Sequence, residues 1–388
     1  MMPATSVDET RPQPATPIKI AHLTPFRDPF SERTFAQSKG SVRDGFEVVI
    51  VAPYERDESR DGVRVRALPK ARTRLDRIIR ICLLGTCKAM AERPDIYHLH
   101  EPDLVPWGLV LRLFGKHVIY DVHEDYVTAT AVRPWLPDWA RPLLASGVRL
   151  LNILARRFFV ILIAERYYRR SFPDAVEMLN YAKLEEYDNL AGIKRTPVSL
   201  ERIRLLYAGS ITESRGARHH LRLLDHLPAP TELLLIGQCS VAPLAQELAT
   251  RAAGDPRLRF VFDTHWLAKE RIFEAYAEAW TAGLALFPDS PHYREKELTK
   301  FYEYMAAGLP IVCSNFPVWR ELVEGYEVGL CVDPEQPEAA AEAIRWLAQN
   351  PQEAKAMGAR GRCLVQERFN WDSQMTILND LYRRMLAT

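Results

Sequence analysis

The sequence predicts an α/β fold of two doubly wound, Rossmann-like domains, and three observations support that prediction. The chain has 388 residues, which is more than one hydrophobic core usually serves. Short apolar runs alternate with helical patterns, as in parallel sheets whose strands are joined by crossover helices. A polar segment at 183–200, which contains Gly192 and Pro197 and lacks sustained periodicity, divides the alternation into two sets and is expected to be a hinge.

The first domain, residues 17–182, is predicted to open with a strand, a helix and a second strand. The apolar run at 18–24 ends at Pro25, a polar helical segment covers 31–44, and 46–52 is again apolar. Further elements of the same kinds follow. They are a basic amphipathic helix at 73–92, a strand at 95–100, a helix at 103–114, and strands at 116–121 and 158–164.

The second domain, residues 201–371, repeats this pattern. Its first two strands, 203–208 and 231–236, each end at a glycine, Gly209 and Gly237. The remaining strands are predicted at 258–262, 282–287, 310–314 and 329–332. The last segment, 372–388, is expected to be a helix that crosses back to the first domain.

Composition narrows the functional class. Apolar residues make up 47% of the chain and charged residues 26%, as in globular proteins, and the net charge of +1 gives no overall attraction to nucleic acid. Six cysteines without CxxC pairs or neighbouring histidine clusters argue against a zinc site and a disulfide framework. We expect a cytoplasmic protein with a disordered leader at 1–16, a stretch rich in Pro, Thr and acidic residues.

Ligands of open parallel sheets bind beyond the carboxyl ends of the strands, so the turn after strand 203–208 is a candidate site. Gly209 and Gly216 permit close backbone approach, and the planar guanidinium of Arg215 can hold a diphosphate. The alternative is an ordinary surface loop, since a glycine-bounded turn with one arginine is common.

A second candidate is the stretch from 293 to 310, where Thr299 is expected to cap a helix that runs to about Ala307. The N–H groups at the start of such a helix, at Leu298 and Thr299, can hold a phosphate without a metal, and Lys300 adds a positive charge. Glu303 lies one turn further, on the face of Lys300, where its carboxylate can accept hydrogen bonds from two ribose hydroxyls. The alternative is that Glu303 only pairs with Lys300 on a solvated face.

Histidines form a third group of candidates. His123 directly follows a predicted strand at its carboxyl end, among acidic residues, so it can line a site. A lone histidine is also commonly structural. His98 and His100 are similarly placed, and one of them can be a core residue while the other lines the site.

The second stretch resembles the signature of glycosyltransferase family 4. The residues that carry the resemblance are KFYEYMAAGLPIVCS at 300–314, WRELVE at 319–324 and GLCVDP at 329–334. Two first-domain motifs, YHLHEPDLVP at 97–106 and VIYDVHED at 118–125, are similar to a branch of the family common in bacterial surface-polysaccharide synthesis. The resemblance implies a GT-B fold, two Rossmann-like domains facing across a cleft, and transfer with retention of the anomeric configuration.

The resemblance also implies roles for particular residues. It makes Arg215, at the family's diphosphate turn, the main phosphate contact, with Ser210 where an arginine is usual, and it makes His123 the residue that reaches the donor sugar. Glu295 and Glu303 stand at the family's spacing of two glutamates. Since the loop after Glu295 is not glycine-rich as in the family, either Glu295 or Glu297 can face the sugar.

The chemistry that follows needs no metal or other cofactor. The resemblance implies that an acceptor hydroxyl attacks on the face from which the nucleotide diphosphate leaves, through an oxocarbenium-like transition state. Arg215, Lys300 and the helix start supply the positive charge that stabilises the leaving diphosphate, and that phosphate can take the acceptor's proton. The donor is expected to be a UDP- or GDP-sugar.

The acceptor, a glycan, a lipid-linked glycan or a small molecule, is expected in the first domain, near 24–33 and 124–139. Asp28, Glu32, Arg33 and Glu124 are polar enough to contact it, although such residues are also common as caps and surface charges. The basic amphipathic stretch that begins at Lys70 and the leucine-rich one at 141–157 fit peripheral contact with the inner face of an anionic membrane, or else sheet-covering helices with a solvated basic face.

Two other functions fit the same residues. A sugar-nucleotide epimerase of the same fold would share the nucleotide contacts, and it would convert the donor without an acceptor. A non-catalytic carbohydrate-binding protein would gain no thermal stability from UDP or GDP.

Overall fold

The computed structural model describes residues 17–127, 137, 139–191, 202–265 and 267–387. The chain forms two compact units. Unit 1 comprises the chain up to Leu179 together with the residues from Gln374 onward, and unit 2 comprises Asn180–Ser373. The predicted leader at 1–16 lies outside the described residues.

Unit 1 is built on an eight-stranded sheet, and the apolar runs of the sequence supply its central strands. The order is β3-β4-β2-β1-β5-β6-β7-β8, parallel throughout except that β3 runs antiparallel to β4. The short strands β3, β4 and β8 were not predicted. The strands are β1 (Lys19–Leu23), β2 (Glu47–Pro53), β3 (Glu58–Arg60), β4 (Val63–Leu68), β5 (Ile96–Leu99), β6 (His117–Val122), β7 (Val160–Ile163) and β8 (Val176–Glu177).

The helices of unit 1 cover that sheet and bury a core of mostly aliphatic side chains from β1, β2, β5, β6 and β7. The predicted basic helix at 73–92 is interrupted by a π-helical turn, Arg77–Ile81. Within the described ranges, no helix is long and apolar enough to cross a membrane. The helices are α1 (Glu32–Arg43), α2 (Arg74–Asp76), α3 (Cys82–Ala91), α4 (Val105–Leu113) and α5 (Ala140–Phe158).

Unit 2 is built on a six-stranded parallel sheet in the order β11-β10-β9-β12-β13-β14. Every strand predicted for the second half is present. The elements are α6 (Leu184–Ala191), β9 (Arg204–Ala208), α7 (Ala217–Asp225), β10 (Glu232–Gln238), α8 (Ala242–Gly254), β11 (Leu258–Asp263), α9 (Lys269–Ala277), β12 (Ala282–Ala285), α10 (Thr299–Ala306), β13 (Ile311–Ser314), α11 (Pro317–Val323), β14 (Gly329–Val332), α12 (Pro337–Gln349) and α13 (Pro351–Glu367).

The last helix, α14 (Trp371–Leu386), starts in unit 2 and belongs to unit 1 from Gln374 onward. Within unit 1, the Ser41 hydroxyl donates to Asn379 (2.8 Å), and the Leu179 N–H donates to the side chain of Gln374 (2.7 Å). The Tyr382 hydroxyl lies 2.7 Å from His98 Nδ1. These buried polar contacts make α14 part of the cover of the unit 1 sheet.

The segment predicted as a hinge is in part a helix. The chain passes from unit 1 to unit 2 at Leu179, and α6 then occupies 184–191; residues 192–200 lie outside the described residues. Tyr187 is buried against Phe273 and Tyr276 of unit 2, and Lys269 donates to Glu186 (2.7 Å). The polar composition hid this helix because its stability comes from contacts with residues distant in sequence.

The first two strands of unit 2 approach each other closely at their carboxyl ends. Gly237 of β10 has a φ of 147°, a conformation that disfavours side chains, and a Cβ placed there would lie 2.0 Å from the carbonyl oxygen of Gly209. Glycine at 237 is therefore required for the turn after β9 to sit against β10.

Gly237→Ala is expected to destabilise unit 2 by about 2–4 kcal/mol, since the new Cβ would clash with backbone and force a strained conformation. Scanning calorimetry should show a lower Tm. Gly254→Ala is the matched control, because no heavy atom lies within 4 Å of the Cβ position there. Equal Tm values for the two variants would contradict the close approach.

Candidate functional site

The turn after β9 and the segment after β12 meet where the strand order of unit 2 reverses. β9 is flanked by β10 on one side and by β12 on the other, and such a switch point is where open α/β sheets bind ligands. Gly216 has a φ of 75°, and a Cβ there would lie 1.7 Å from the carbonyl oxygen of Leu286. The sequence-predicted turn is thus packed directly against the chain that leaves β12.

A buried histidine that the sequence analysis did not consider connects these two segments. His220 Nδ1 donates to the Gly216 carbonyl (2.5 Å), and its Nε2 accepts from the Leu286 N–H (3.2 Å). Burial lowers the pKa of His220 to about 3, so the ring is neutral and keeps one donor and one acceptor. His220 is a positioning residue for the turn.

Arg215 ends the turn, in a short 3₁₀ segment (Glu213–Arg215) whose Thr212 cap accepts from the Arg215 N–H. Its guanidinium is half-buried beside the hydroxyls of Tyr207 and Tyr293. Although burial disfavours its charge, the two tyrosines raise the pKa of Arg215, so it stays protonated. A fixed cation therefore lies at the switch point.

Lys300 lies under the same turn rather than on a solvated face. It is 6% exposed, its Nζ donates to the Ala208 carbonyl (3.0 Å), and Nζ lies 3.5 Å from the centre of the Tyr207 ring. Burial and the charge of nearby Arg215 lower the pKa of Lys300 well below its usual value. The alternative of a solvated pair between Lys300 and Glu303 does not hold, because Lys300 is buried.

The start of α10 differs from the prediction by one position. The cap residue is Leu298, without a side-chain cap, and Thr299 is the first helical residue, with an exposed side chain. Thr299 therefore caps nothing. The helix ends as predicted, with Gly308 at a φ of 67°. The first N–H groups of α10 lack intrahelical acceptors, and they lie next to Lys300.

Glu303 is half-buried on α10, and its Oε2 accepts from the Tyr276 hydroxyl (3.0 Å) of α9. Burial and the Glu303 charge raise the pKa of Tyr276 well above its usual value, so Tyr276 remains a donor. One carboxylate oxygen is thereby held, and the orientation of Glu303 is set by a residue that sequence reasoning missed.

The loop before α10 is attached at two points. The buried Trp319 indole donates to the Lys296 carbonyl (2.6 Å), and Glu297 accepts from the Tyr302 hydroxyl (2.6 Å). Glu295, the other acid of this loop, is half-buried. The carbonyl of Ser210, in the first turn, accepts from the Tyr207 hydroxyl (2.7 Å), which shapes the backbone there.

In unit 1 the predicted histidines come together at the carboxyl ends of β1, β5 and β6, with a fourth, His22. Parallel register and the two-residue period of strands place them on one face. His22 Nδ1 lies 2.9 Å from His100 Nε2, and His100 Nδ1 lies 3.0 Å from His123 Nε2. His123 is at the accessible end of this row, with 9% of its side chain exposed.

Asp121 is the fixed charge of the histidine cluster. Burial acts against its ionisation, but Arg33 and the histidines hold the pKa of Asp121 well below its usual range. Arg33 donates to both carboxylate oxygens (3.2 and 3.3 Å) and to the Met178 carbonyl (2.8 Å). Arg33, predicted to contact an acceptor, thus forms an ion pair with Asp121 inside unit 1. Burial lowers the pKa of His123 to about 3, so the His123 ring is neutral.

The other predicted acceptor residues lie at the surface. Asp28 accepts from the Phe30 N–H (2.8 Å) in its own turn, and Glu124 is exposed. The side chain of Glu32 and most of 128–138 lie outside the described residues.

The sequence analysis expected no metal site, but the histidine cluster contains two groups of side chains that could hold a metal ion. Ligand atoms of His22, His98 and His100, and of His100, Asp121 and His123, lie within 4.8 Å of one another. Sequence spacing gave no sign of this grouping.

Comparison with known proteins places both units in one enzyme class. A family described as "Glycosyl transferase 4-like domain" matches residues 31–179, and one described as "Glycosyl transferases group 1" matches residues 193–363. A GDP-mannose-dependent alpha-(1-6)-phosphatidylinositol monomannoside mannosyltransferase of Mycobacterium tuberculosis is 35% identical over 83 residues. That stretch is 21% of this chain and only 22% of the length of the relative.

Solved structures resemble the chain over nearly its whole length. Sucrose-phosphate synthase from Thermosynechococcus elongatus has a TM-score of 0.72 at 18% identity, with 95% of this chain and 99% of that one covered. Anabaena HepE in complex with UDP-glucose has a TM-score of 0.66 at 13% identity, with 95% and 99% covered. At these identities the likeness concerns the fold, which confirms the predicted fold class.

The family matches confirm the predicted enzyme class, a glycosyltransferase. They cover both units, and the GT-B neighbours cover the fold. The chain belongs to the glycosyltransferases of the family 4 type, with two Rossmann-like units.

Proposed function

We propose that the chain transfers a sugar, with retention, from a UDP- or GDP-sugar to a hydroxyl of a glycan, lipid-linked or small-molecule acceptor, without a metal ion. The observation that carries the proposal is that two basic side chains, Arg215 and Lys300, lie close to each other beside the start of α10, at the switch point of unit 2. HepE, a structural neighbour, binds UDP-glucose, and the mycobacterial relative is named for GDP-mannose. These names support both nucleotide classes.

The diphosphate is the group that this site fits. Arg215 supplies a planar donor fork, Lys300 a second cation, and the N–H groups of Leu298 and Thr299 additional donors. As the bond between the anomeric carbon and the phosphate oxygen breaks, negative charge grows on the diphosphate, and these groups stabilise it. The acceptor oxygen bonds the anomeric carbon on the same face, and its proton passes to the leaving phosphate.

Glu303 is proposed to bind the ribose. The Tyr276 hydroxyl donates to one of its oxygens and so orients the carboxylate, a group that can accept hydrogen bonds from vicinal hydroxyls. Glu295 is proposed to contact the transferred sugar, with Gly209, Ser210 and Gly237 forming the backbone that faces the diphosphate.

We propose that His123 contacts the donor sugar and in this way contributes to the transfer step. Its lowered pKa makes it a neutral hydrogen-bonding group rather than a charged acid.

Arg215→Ala and Glu303→Ala are expected to weaken nucleotide binding by about 2 kcal/mol each, roughly 30-fold, since each removes a charge-assisted contact. A thermal-shift panel of UDP, GDP and ADP, followed by calorimetric titration, measures this. Arg218→Ala is the matched control, as Arg218 is exposed and paired with Glu213 and Glu247. His123→Ala should lower transfer more than nucleotide affinity. If both Arg215→Ala and Glu303→Ala bind nucleotide as tightly as the wild type, the assignment of the nucleotide site is wrong.

Nucleotide binding should take up a proton. The pKa of Lys300 is lowered in the free protein, and a diphosphate beside it raises that pKa again. Between the two pKa values affinity must fall as pH rises, because the complex holds one more proton than the free protein. Calorimetric titration in two buffers of different ionisation enthalpy measures the uptake, and Lys300→Met should abolish it. If the wild type binds nucleotide without proton exchange at every pH between the two pKa values of Lys300, Lys300 is not a contact of the diphosphate.

We propose peripheral membrane contact through unit 1. Sixteen of the nineteen large apolar side chains that are exposed in the described part of the chain belong to this unit, and α4 packs against both α3 and α5 to bring many of them together. On α5, Leu143, Leu150 and Ile153 are 66%, 57% and 61% exposed, next to several arginines. An exposed apolar face with flanking cations is the pattern of a helix that lies on an anionic bilayer.

Replacing Leu143, Leu150 and Ile153 together by serine is expected to abolish flotation with liposomes that contain anionic lipid, and to leave nucleotide binding unchanged. The control is Val241→Ser, an exposed apolar position of unit 2. A wild-type protein that stays wholly in the soluble fraction rules out the membrane contact.

A further inference from the structure

The carboxyl ends of β5 and β6 bring three metal-ligating side chains together in unit 1. His100 Nδ1 lies 3.0 Å from His123 Nε2, and Oδ2 of Asp121 lies 3.9 Å from the first nitrogen and 3.5 Å from the second. Ligand atoms bound to a tetrahedral Zn²⁺ ion at about 2.0–2.2 Å are separated from one another by about 3.3–3.6 Å. The observed separations bracket that range, so the three atoms form a triangle of the size that a zinc ion requires.

The ring orientations favour this group over the other metal-ligand group of the histidine cluster. The rings of His22, His98 and His100 are stacked, with interplanar angles of 11°, 16° and 26°. An ion in the plane of one stacked ring lies out of the plane of its neighbours, so their lone pairs do not converge. The rings of His100 and His123 cross at 68°, and lone pairs in crossing planes can meet at one ion.

The hydrogen bonds behind the two histidines are of the kind that orients metal ligands. A histidine that binds a metal through one ring nitrogen usually donates from the other. His100 Nε2 lies 2.9 Å from His22 Nδ1, so a proton on that Nε2 is held by His22 and leaves the Nδ1 lone pair of His100 for an ion. The Tyr168 hydroxyl donates to the His123 carbonyl (3.0 Å), which fixes the backbone of the other ring.

Asp121 supplies the negative charge of the group, and it shares that charge. Gln37 donates to Oδ2 (2.8 Å), and Arg33 donates to both carboxylate oxygens. Ligating carboxylates are commonly hydrogen-bonded in this way. Because the Arg33 charge compensates that of Asp121, we expect a lower affinity for a dication than at a site with an unpaired carboxylate.

Solvent reaches this group of ligands at its outer member. His100 and Asp121 are fully buried, whereas 9% of the His123 side chain is exposed. A water molecule on that side would complete a tetrahedral shell. Two imidazole nitrogens and one carboxylate oxygen are donors that zinc and neighbouring transition metals prefer, whereas Mg²⁺ and Ca²⁺ bind mainly through oxygen.

We propose that His100, Asp121 and His123 form a binding site for a divalent transition-metal ion, with Zn²⁺ as its representative, and that the bound ion inhibits sugar transfer. The ion takes the Nε2 lone pair of His123, and its water molecule occupies the space beyond that nitrogen. The inhibition, but not the metal binding, rests on the proposed contact between His123 and the donor sugar. The proposed transfer step itself still uses no metal.

Calorimetric titration of the full chain with zinc chloride tests the binding, and the absorption spectrum of bound Co²⁺ reports the coordination. We expect a single ion per chain, and a visible spectrum typical of four- or five-coordinate Co²⁺ that Zn²⁺ removes. His123→Asn should weaken Zn²⁺ binding at least about tenfold, because a ring ligand is lost.

The matched control is His226→Asn, which should leave Zn²⁺ binding unchanged. His226 Nδ1 lies 3.5 Å from Glu338 in unit 2, and His226 belongs to neither of the metal-ligand groups found among the described residues. Equal losses of affinity in the two variants, an octahedral Co²⁺ spectrum, or a wild type that binds no ion would each overturn the metal site.

Inhibition is measured as the release of nucleotide from UDP-glucose or GDP-mannose, whichever stabilises the chain. Saturating Zn²⁺ should lower that rate at least about tenfold, since a contact to the sugar is lost in the transition state, and a chelator should restore it. Zn²⁺ also binds diphosphates in solution, so His100→Asn, which keeps His123 but lacks a metal ligand, is measured at the same Zn²⁺ concentration. Its rate should not respond to Zn²⁺. Equal inhibition of His100→Asn and the wild type, or a rate that Zn²⁺ raises, overturns the inhibitory role.

Thermal stabilisation by nucleotides, measured on the same samples, keeps this inference apart from the proposed function. A wild type that no nucleotide stabilises overturns the transfer function and with it the inhibitory role, while the zinc titration still decides the metal site. Normal stabilisation of a chain that binds no Zn²⁺ overturns the metal site alone.

Discussion

The hydrogen bond from Lys300 to the Ala208 carbonyl is the contact on which the site of unit 2 depends. A buried amino group must have a hydrogen-bond partner. The Lys300 Nζ donates to this carbonyl and lies 3.5 and 5.3 Å from the centres of the Tyr207 and Phe287 rings. Since Lys300 stands in the first turn of α10 and Ala208 ends β9, this bond fixes the helix start against the turn. The anion site is therefore assembled before any ligand arrives, which lowers the reorganisation needed at the moment of reaction.

The alternation of apolar runs and helical patterns was sufficient to predict the two sheets, because strands buried on both faces are nearly continuous hydrophobic segments. The elements that it missed depend on distant partners. The strand β3 consists of three polar residues. The strand β4, VRVRAL, alternates apolar and polar residues over only six positions. The helix α6 has eight residues, half of them polar, and Tyr187 holds it against α9. The local periodicity of the sequence does not indicate contacts between residues that are distant in the chain.

In the candidate site, too, some residues could be predicted from the sequence and others could not. Glycine, arginine and glutamate at the switch point were predictable because their chemistry and their place after a strand can be read along the chain. Their neighbours were not. His220 reaches Leu286 and Tyr276 reaches Glu303 across 66 and 27 residues. Arg33 was predicted as an acceptor contact, since nothing local to it indicates that Asp121, 88 residues later, is its partner.

The path of the chain through α14 has a consequence for how the protein is made. Unit 1 is discontinuous: unit 2 is inserted between Leu179 and Gln374, so the helix that covers Ser41 and His98 is synthesised only after unit 2. Domains usually complete folding in order of synthesis. Here unit 2 can complete its fold while unit 1 still lacks α14 and exposes the polar groups of Ser41 and His98 that this helix contacts.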